Sequence, residues 1–85
     1  MATNASLIDK IQGMTANELA VLKKVKELGA ASADELAVKL RRAGDDLTPE
    51  IDSLVKRDLL QVRTLVHDGE ETKIYLAQRD VRSWL

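Results

Sequence analysis

The chain has 85 residues and a formal net charge of -1, with 45% hydrophobic and 32% charged residues. That length suits one small domain rather than two, the composition suits a folded rather than a disordered chain, and near-neutral charge gives no overall field to draw it to polyanions. Cysteine and phenylalanine are absent and Tyr75 and Trp84 are the only aromatic residues, which excludes disulfides, thiolate nucleophiles and cysteine-bound zinc and leaves the core to Leu, Val, Ile and Ala.

Met1 to Lys10 carries neither a basic leader nor a long apolar run, so no signal peptide is expected. The longest purely apolar run, Leu19 to Leu22, is far short of the ~20 residues of a membrane span; a soluble, cytoplasmic chain is expected, with no membrane partner. A short helix from about Asn4 to Gln12 places Leu7, Ile8 and Ile11 on one face. Thr15 and Glu18 then form a capping box, with Met14 and Leu19 as its hydrophobic staple. Leu19, Leu22, Val25 and Leu28, with Val21 beside them, give the first core helix its apolar stripe, and Gly29 ends it.

Ser32 and Glu35 form a second capping box. The helix that follows has the stripe Ala33, Leu36, Ala37, Leu40 and Ala43 and is expected to end at Gly44. Thr48 is the expected N-cap of a third helix, with Pro49 at its first position, where the missing N–H costs nothing. Its buried stripe is Ile51, Leu54 and Val55, and it should end near Arg57 or Asp58.

From Leu59 the period changes to two. Leu60, Val62, Thr64 and Val66 alternate along one strand and Thr72, Ile74 and Leu76 along a second. A two-residue Asp68-Gly69 loop would split these apolar residues between two faces. A three-residue loop, His67-Asp68-Gly69, keeps them on one face by pairing Leu60 with Leu76, Val62 with Ile74 and Thr64 with Thr72. That register sets Arg63 opposite Lys73, and like charges so placed suggest an external anion. Arg79 to Leu85 forms a last helix with Val81, Trp84 and Leu85 on one face.

Three helices followed by a β-hairpin resemble the winged helix-turn-helix domain of small bacterial and archaeal regulators of the multiple-antibiotic-resistance and arsenic-repressor kinds. The stretch that carries the resemblance is Ser32 to Leu76, with the helix-turn-helix in ELAVKLRRAGDDLTPEIDSLVKRDLL and the wing in LQVRTLVHDGEETKIYL. The expected fold is mainly α with a small antiparallel β-hairpin: one winged-helix domain over 1–85, with a short N-terminal helix (1–13), the core (14–78) and a C-terminal helix (79–85). The turn departs from the family's usual tight Gly-apolar-Ser/Thr pattern, because Asp45 and Asp46 intervene between Gly44 and Leu47-Thr48.

The resemblance implies a DNA-binding transcriptional regulator whose third helix reads the groove. Thr48, Asp52, Ser53 and Lys56 are the candidates for that role, with Arg41, Arg42, Arg57, Arg63 and Lys73 on phosphates. Five acids (Asp45, Asp46, Glu50, Asp52, Asp58) oppose two bases (Lys56, Arg57) from Asp45 to Asp58. Three of those acids, Asp45, Asp46 and Glu50, lie where the positive end of a helix dipole favours carboxylates. The alternative is a protein-interaction adaptor that presents this acidic helix to a basic partner surface.

Catalysis is not expected. His67 is the single imidazole and sits in a turn, no serine has a positioned base, and no metal-ligand spacing or phosphate-cradling glycine loop occurs, so no metal or cofactor is expected. The apolar faces of the terminal helices (Leu7, Ile8, Ile11; Val81, Trp84, Leu85) suggest a homodimer interface, or alternatively helices that fold back to complete the core.

Overall fold

In a computed structural model, which describes residues 9–84 apart from the Trp84 side chain, the Thr15 capping box forms as predicted. The Thr15 hydroxyl accepts from the Glu18 amide at 3.1 Å and the Glu18 carboxylate accepts from the Thr15 amide at 2.8 Å. The helix so started, α2 (Ala16–Leu28), follows a short α1 whose described residues are 9–11. Then come α3 (Ala33–Lys39), α4 (Thr48–Lys56), β1 (Leu60–His67), β2 (Glu70–Ala77) and α5 (Arg79–Trp84). Among the described residues, five helices and one two-stranded antiparallel hairpin make a small α/β domain. None of the described helices is long and apolar enough to cross a membrane.

The core is aliphatic, as the missing phenylalanines require. Val21, Leu22 and Val25 of α2 pack with Leu36 and Ala37 of α3, Ile51 and Leu54 of α4, and the connecting residues Leu47 and Leu59. Leu19 and Leu28, expected in the α2 stripe, are only half-buried. A strict three-residue spacing drifts around a helix of 3.6 residues per turn, so the buried stripe runs through 18, 21, 22 and 25 instead. Glu18 therefore lies on the inner face.

Three helix ends differ from expectation. At α3 the Ser32 hydroxyl caps the Glu35 amide at 3.2 Å, but Glu35 is exposed and the return half of the box is missing. The same helix stops a turn before Gly44, in a Schellman motif: Arg42 N–H bonds Ala37 C=O at 2.7 Å and Arg41 N–H bonds Val38 C=O at 3.0 Å. The left-handed residue there is Arg41, with φ 60°. At α4 Thr48 is inside the helix and Leu47 is the cap residue, without a side-chain bond. Asp46 takes the capping role through its Oδ1, which accepts from the Thr48 amide at 2.9 Å. A second Schellman motif, with Asp58 left-handed at φ 61°, ends α4 and turns Leu59 into the core.

The hairpin register is also corrected. His67 pairs with Glu70, Thr64 with Lys73, Arg63 with Ile74, Val62 with Tyr75 and Leu60 with Ala77. The loop is the two-residue Asp68-Gly69, with both φ angles positive (51° and 81°) as a type I′ turn requires. One-sided burial of the apolar residues loses to turn chemistry because the core covers only the hairpin's base. Leu60 and Ala77 are enclosed, while Val62, Leu65 and Val66 stay exposed. Beside the hairpin, Ala31 bridges to Tyr75 by two backbone hydrogen bonds, of 3.1 and 2.8 Å. This clamps β2 to the segment between α2 and α3.

Of the residues assigned to a terminal-helix dimer, Val81 is fully buried in the chain's own core and Ile11 packs half-buried against it. Val81 therefore offers no surface to a partner, and here the fold-back alternative describes the packing. Leu7, Ile8, Leu85 and the Trp84 side chain lie outside the described residues.

Candidate nucleic-acid interface

The residues proposed to meet nucleic acid fall into three groups once the fold places them. The turn between α3 and α4 holds the first. Arg42 is tied down on both sides, its Nε to Asp45 at 3.1 Å and its Nη1 to Glu50 at 3.3 Å. This fork links the turn to the first turn of α4, so Arg42 is spent on fixing that helix rather than presented to a phosphate. Its neighbour Arg41 is exposed and makes no ion pair among the described residues. The Thr48 hydroxyl and amide hold the Asp46 carboxyl below its usual range. All three acids read as helix-start residues thus have a local partner, through Arg42 or the Thr48 amide.

The second group lies on α4. Thr48, Pro49, Asp52 and Lys56 are exposed, on the side opposite the buried Ile51 and Leu54. Ser53 and Arg57, assigned to groove and phosphate, turn inward instead. The Arg57 Nη1 donates to Lys10 C=O at 3.0 Å and also to Gln12 C=O, and its Nε reaches the Ser53 hydroxyl at 3.4 Å and lies 3.9 Å from the Glu18 carboxylate. The Ser53 hydroxyl, then the Thr15 amide and the Arg57 charge hold the Glu18 carboxyl below its ordinary range, against the opposing effect of burial. These residues form a polar lock between α2, α4 and the end of α1. Beside it, Lys10 pairs with Asp80 at 2.9 Å and Asp58 at 3.2 Å, joining α1, the end of α4 and α5.

The third group is on the hairpin, where the register separates Arg63 from Lys73. Lys73 shares the inner face with Leu60, Val62, Thr64, Tyr75 and Ala77, and Arg63 is on the outer face with Leu65, Ile74 and Leu76. The two cations are not opposite each other, so no like-charge pair is present there to call for an external anion. Tyr75 packs half-buried on the core. Burial raises its phenol above the usual range, and the charge of Asp52 adds to that.

Sequence reasoning missed two features. The Ala31 bridge is a single residue with no periodicity to betray it. The inward turn of Arg57 has only one clue, its place four residues after Ser53 on the same helix side. No family model, curated protein or solved structure matches the chain. Among the described residues no group of three or more His, Asp or Glu side chains is placed to hold a metal ion.

Proposed function

We propose that this is a winged helix-turn-helix protein that binds double-stranded DNA, with α4 entering the major groove and the hairpin following the backbone, in the role of a transcriptional regulator. What supports the reading is the exposed face of α4, with Thr48, Pro49, Asp52 and Lys56, together with a hairpin whose Val62 to Val66 stretch stands clear of the core. The Ala31 bridge fixes the base of that ribbon. A groove about 12 Å wide admits such a helix. Thr48, Asp52 and Lys56 are its candidates for base edges, Asp52 as an acceptor from cytosine N4, and Arg41 and Lys73 face the phosphates.

The placement of the cations makes the reading quantitative. Arg42 and Arg57 are engaged within the chain, and Arg63 is on the outer face. Arg41 and Lys73 remain for the phosphates. Two phosphate contacts give a slope of log K against log salt of about -1.8, which is a loss of about 12-fold between 50 and 200 mM salt. Fluorescence anisotropy with a mixed-sequence duplex measures it. A slope near that value, made shallower by about 0.9 in Lys73→Ala, supports the reading; absence of binding at low salt refutes it.

The second reading is a protein-interaction adaptor, favoured by one observation. With Arg57 turned inward, the exposed face of α4 is left with Asp52 against Lys56 and has no net positive charge. On that reading a basic protein surface is the partner, and duplex DNA does not bind.

A further inference from the structure

The hairpin has two edges, and they are treated differently. On β2, Tyr75 exchanges both backbone hydrogen bonds with Ala31, so its peptide groups point away from β1. Tyr75 pairs with Val62, and antiparallel pairs alternate between bonded and non-bonded. It follows that Val62, Thr64 and Val66 direct their N–H and C=O groups away from β2, to the open side of β1. Arg63 and Leu65 spend theirs on the β1–β2 ladder.

Exposed edges are normally blunted by lysine, proline, a bulge or inward charge. From Val62 to Val66 β1 has only Arg63, and the charges Glu70, Glu71 and Lys73 all lie on β2. Val62, Leu65 and Val66 are 41%, 57% and 67% exposed. The unprotected edge is the apolar one.

We propose that β1 is a homodimer edge: two copies pair β1 antiparallel about Thr64, giving a continuous four-stranded sheet. The sequence of the strand is self-complementary in that register. Val62 pairs with the partner's Val66 and Thr64 with the partner's Thr64, and these are residues whose peptide groups have no partner among the described residues, so three pairs make six hydrogen bonds. Arg63 faces the partner's Leu65 instead of its Arg63, and like charges are kept apart. The partner's Asp68-Gly69 turn ends beside Leu60, where the body of the domain begins, so the overlap uses the whole free length of the strand. The edge is small for a stable interface, which makes the dimer weak and concentration-dependent.

Sedimentation equilibrium of the full chain, together with amide exchange, tests this. The wild type should dimerise with a dissociation constant below about 1 mM. The Val62, Thr64 and Val66 amides should slow as concentration rises, while Arg63 and Leu65, already bonded to β2, stay unchanged. Val66→Lys acts twice across the two-fold axis and should weaken the dimer about tenfold. Thr64→Pro should abolish it by removing a central donor that the β1–β2 ladder does not use. Retained protection of Arg63 and Leu65 shows that each variant still forms the hairpin. A wild type that stays monomeric at about 1 mM overturns the proposal. A dimer that leaves the Val62, Thr64 and Val66 amides unaffected, or that survives Val66→Lys with the hairpin intact, also overturns it.

Discussion

Replacing Arg57 by alanine separates a structural arginine from a phosphate ligand. The guanidinium donates to the carbonyls of Lys10 and Gln12 and stands beside the Glu18 carboxylate, with a quarter of the arginine side chain exposed and less than a tenth of the glutamate's. Each hydrogen bond made by a charged donor contributes about 1.5–3 kcal/mol, reduced where solvent replaces it. Two such bonds, partly open to water, place the cost of Arg57→Ala at about 3 kcal/mol. For 85 residues the unfolding entropy at roughly 2.1 cal/mol/K per residue is about 180 cal/mol/K, so Tm should fall by about 17 °C. Thermal unfolding followed by circular dichroism reads this directly. Arg57→Lys should fall between the two, because an ammonium keeps the charge but cannot hold the planar fork. The DNA salt slope, measured well below the lowered Tm, should not change. A Tm within about 5 °C of wild type, combined with a shallower salt slope, would refute the inward assignment and return Arg57 to the phosphate set.

Arg41→Gly should stabilise the domain by about 1 kcal/mol in urea unfolding, since glycine takes the left-handed C′ position of α3 without strain, and should weaken DNA binding at the same time. Asp46→Ala should lower the urea midpoint while Thr48→Ala barely moves it, the reverse of what a Thr48 N-cap requires. Because the Glu18 carboxyl is held below its ordinary value of 4.5, its ionised form is the stabilising one. That contribution is complete above pH 4.5 and is lost as pH falls through the depressed value. Glu18→Gln should therefore be less stable at neutral pH and lose less on acidification, as seen in urea midpoints measured from neutral pH down to pH 3. Leu54→Ala, in the middle of the aliphatic core, should cost about 2–5 kcal/mol by the same measurement.

The elements were legible in the sequence where local chemistry decides them. Thr15 with Glu18 fixes one helix start, and the change of period after Asp58 marks the strands. The apolar spacing of Ile51 and Leu54 picks the inner side of α4. What was not legible depends on distant partners. The hairpin register is not legible, because pattern alone assumes that a strand is covered along its length, whereas only Leu60, Ala77 and in part Tyr75 reach the core; beyond them the Asp-Gly turn is the stronger constraint. Gly44 was the natural stop for α3, yet Arg41 accepts the left-handed position, where the Schellman bonds satisfy Ala37 and Val38. Charge alone cannot say whether an arginine faces solvent. By charge both Arg42 and Arg57 are phosphate candidates, yet Arg42 is held by Asp45 and Glu50, three and eight residues on, and Arg57 by the Lys10 carbonyl 47 residues away.

The most direct test follows backbone amides while mixed-sequence duplex DNA is titrated into the protein at low salt. Shifts are expected at Thr48, Asp52 and Lys56 of α4 and at Lys73 of β2, together with Arg41, and none at the partly buried lock of Glu18, Ser53 and Arg57. Shifts confined to the outer face of the hairpin around Arg63, or a spectrum that DNA does not change, would contradict it.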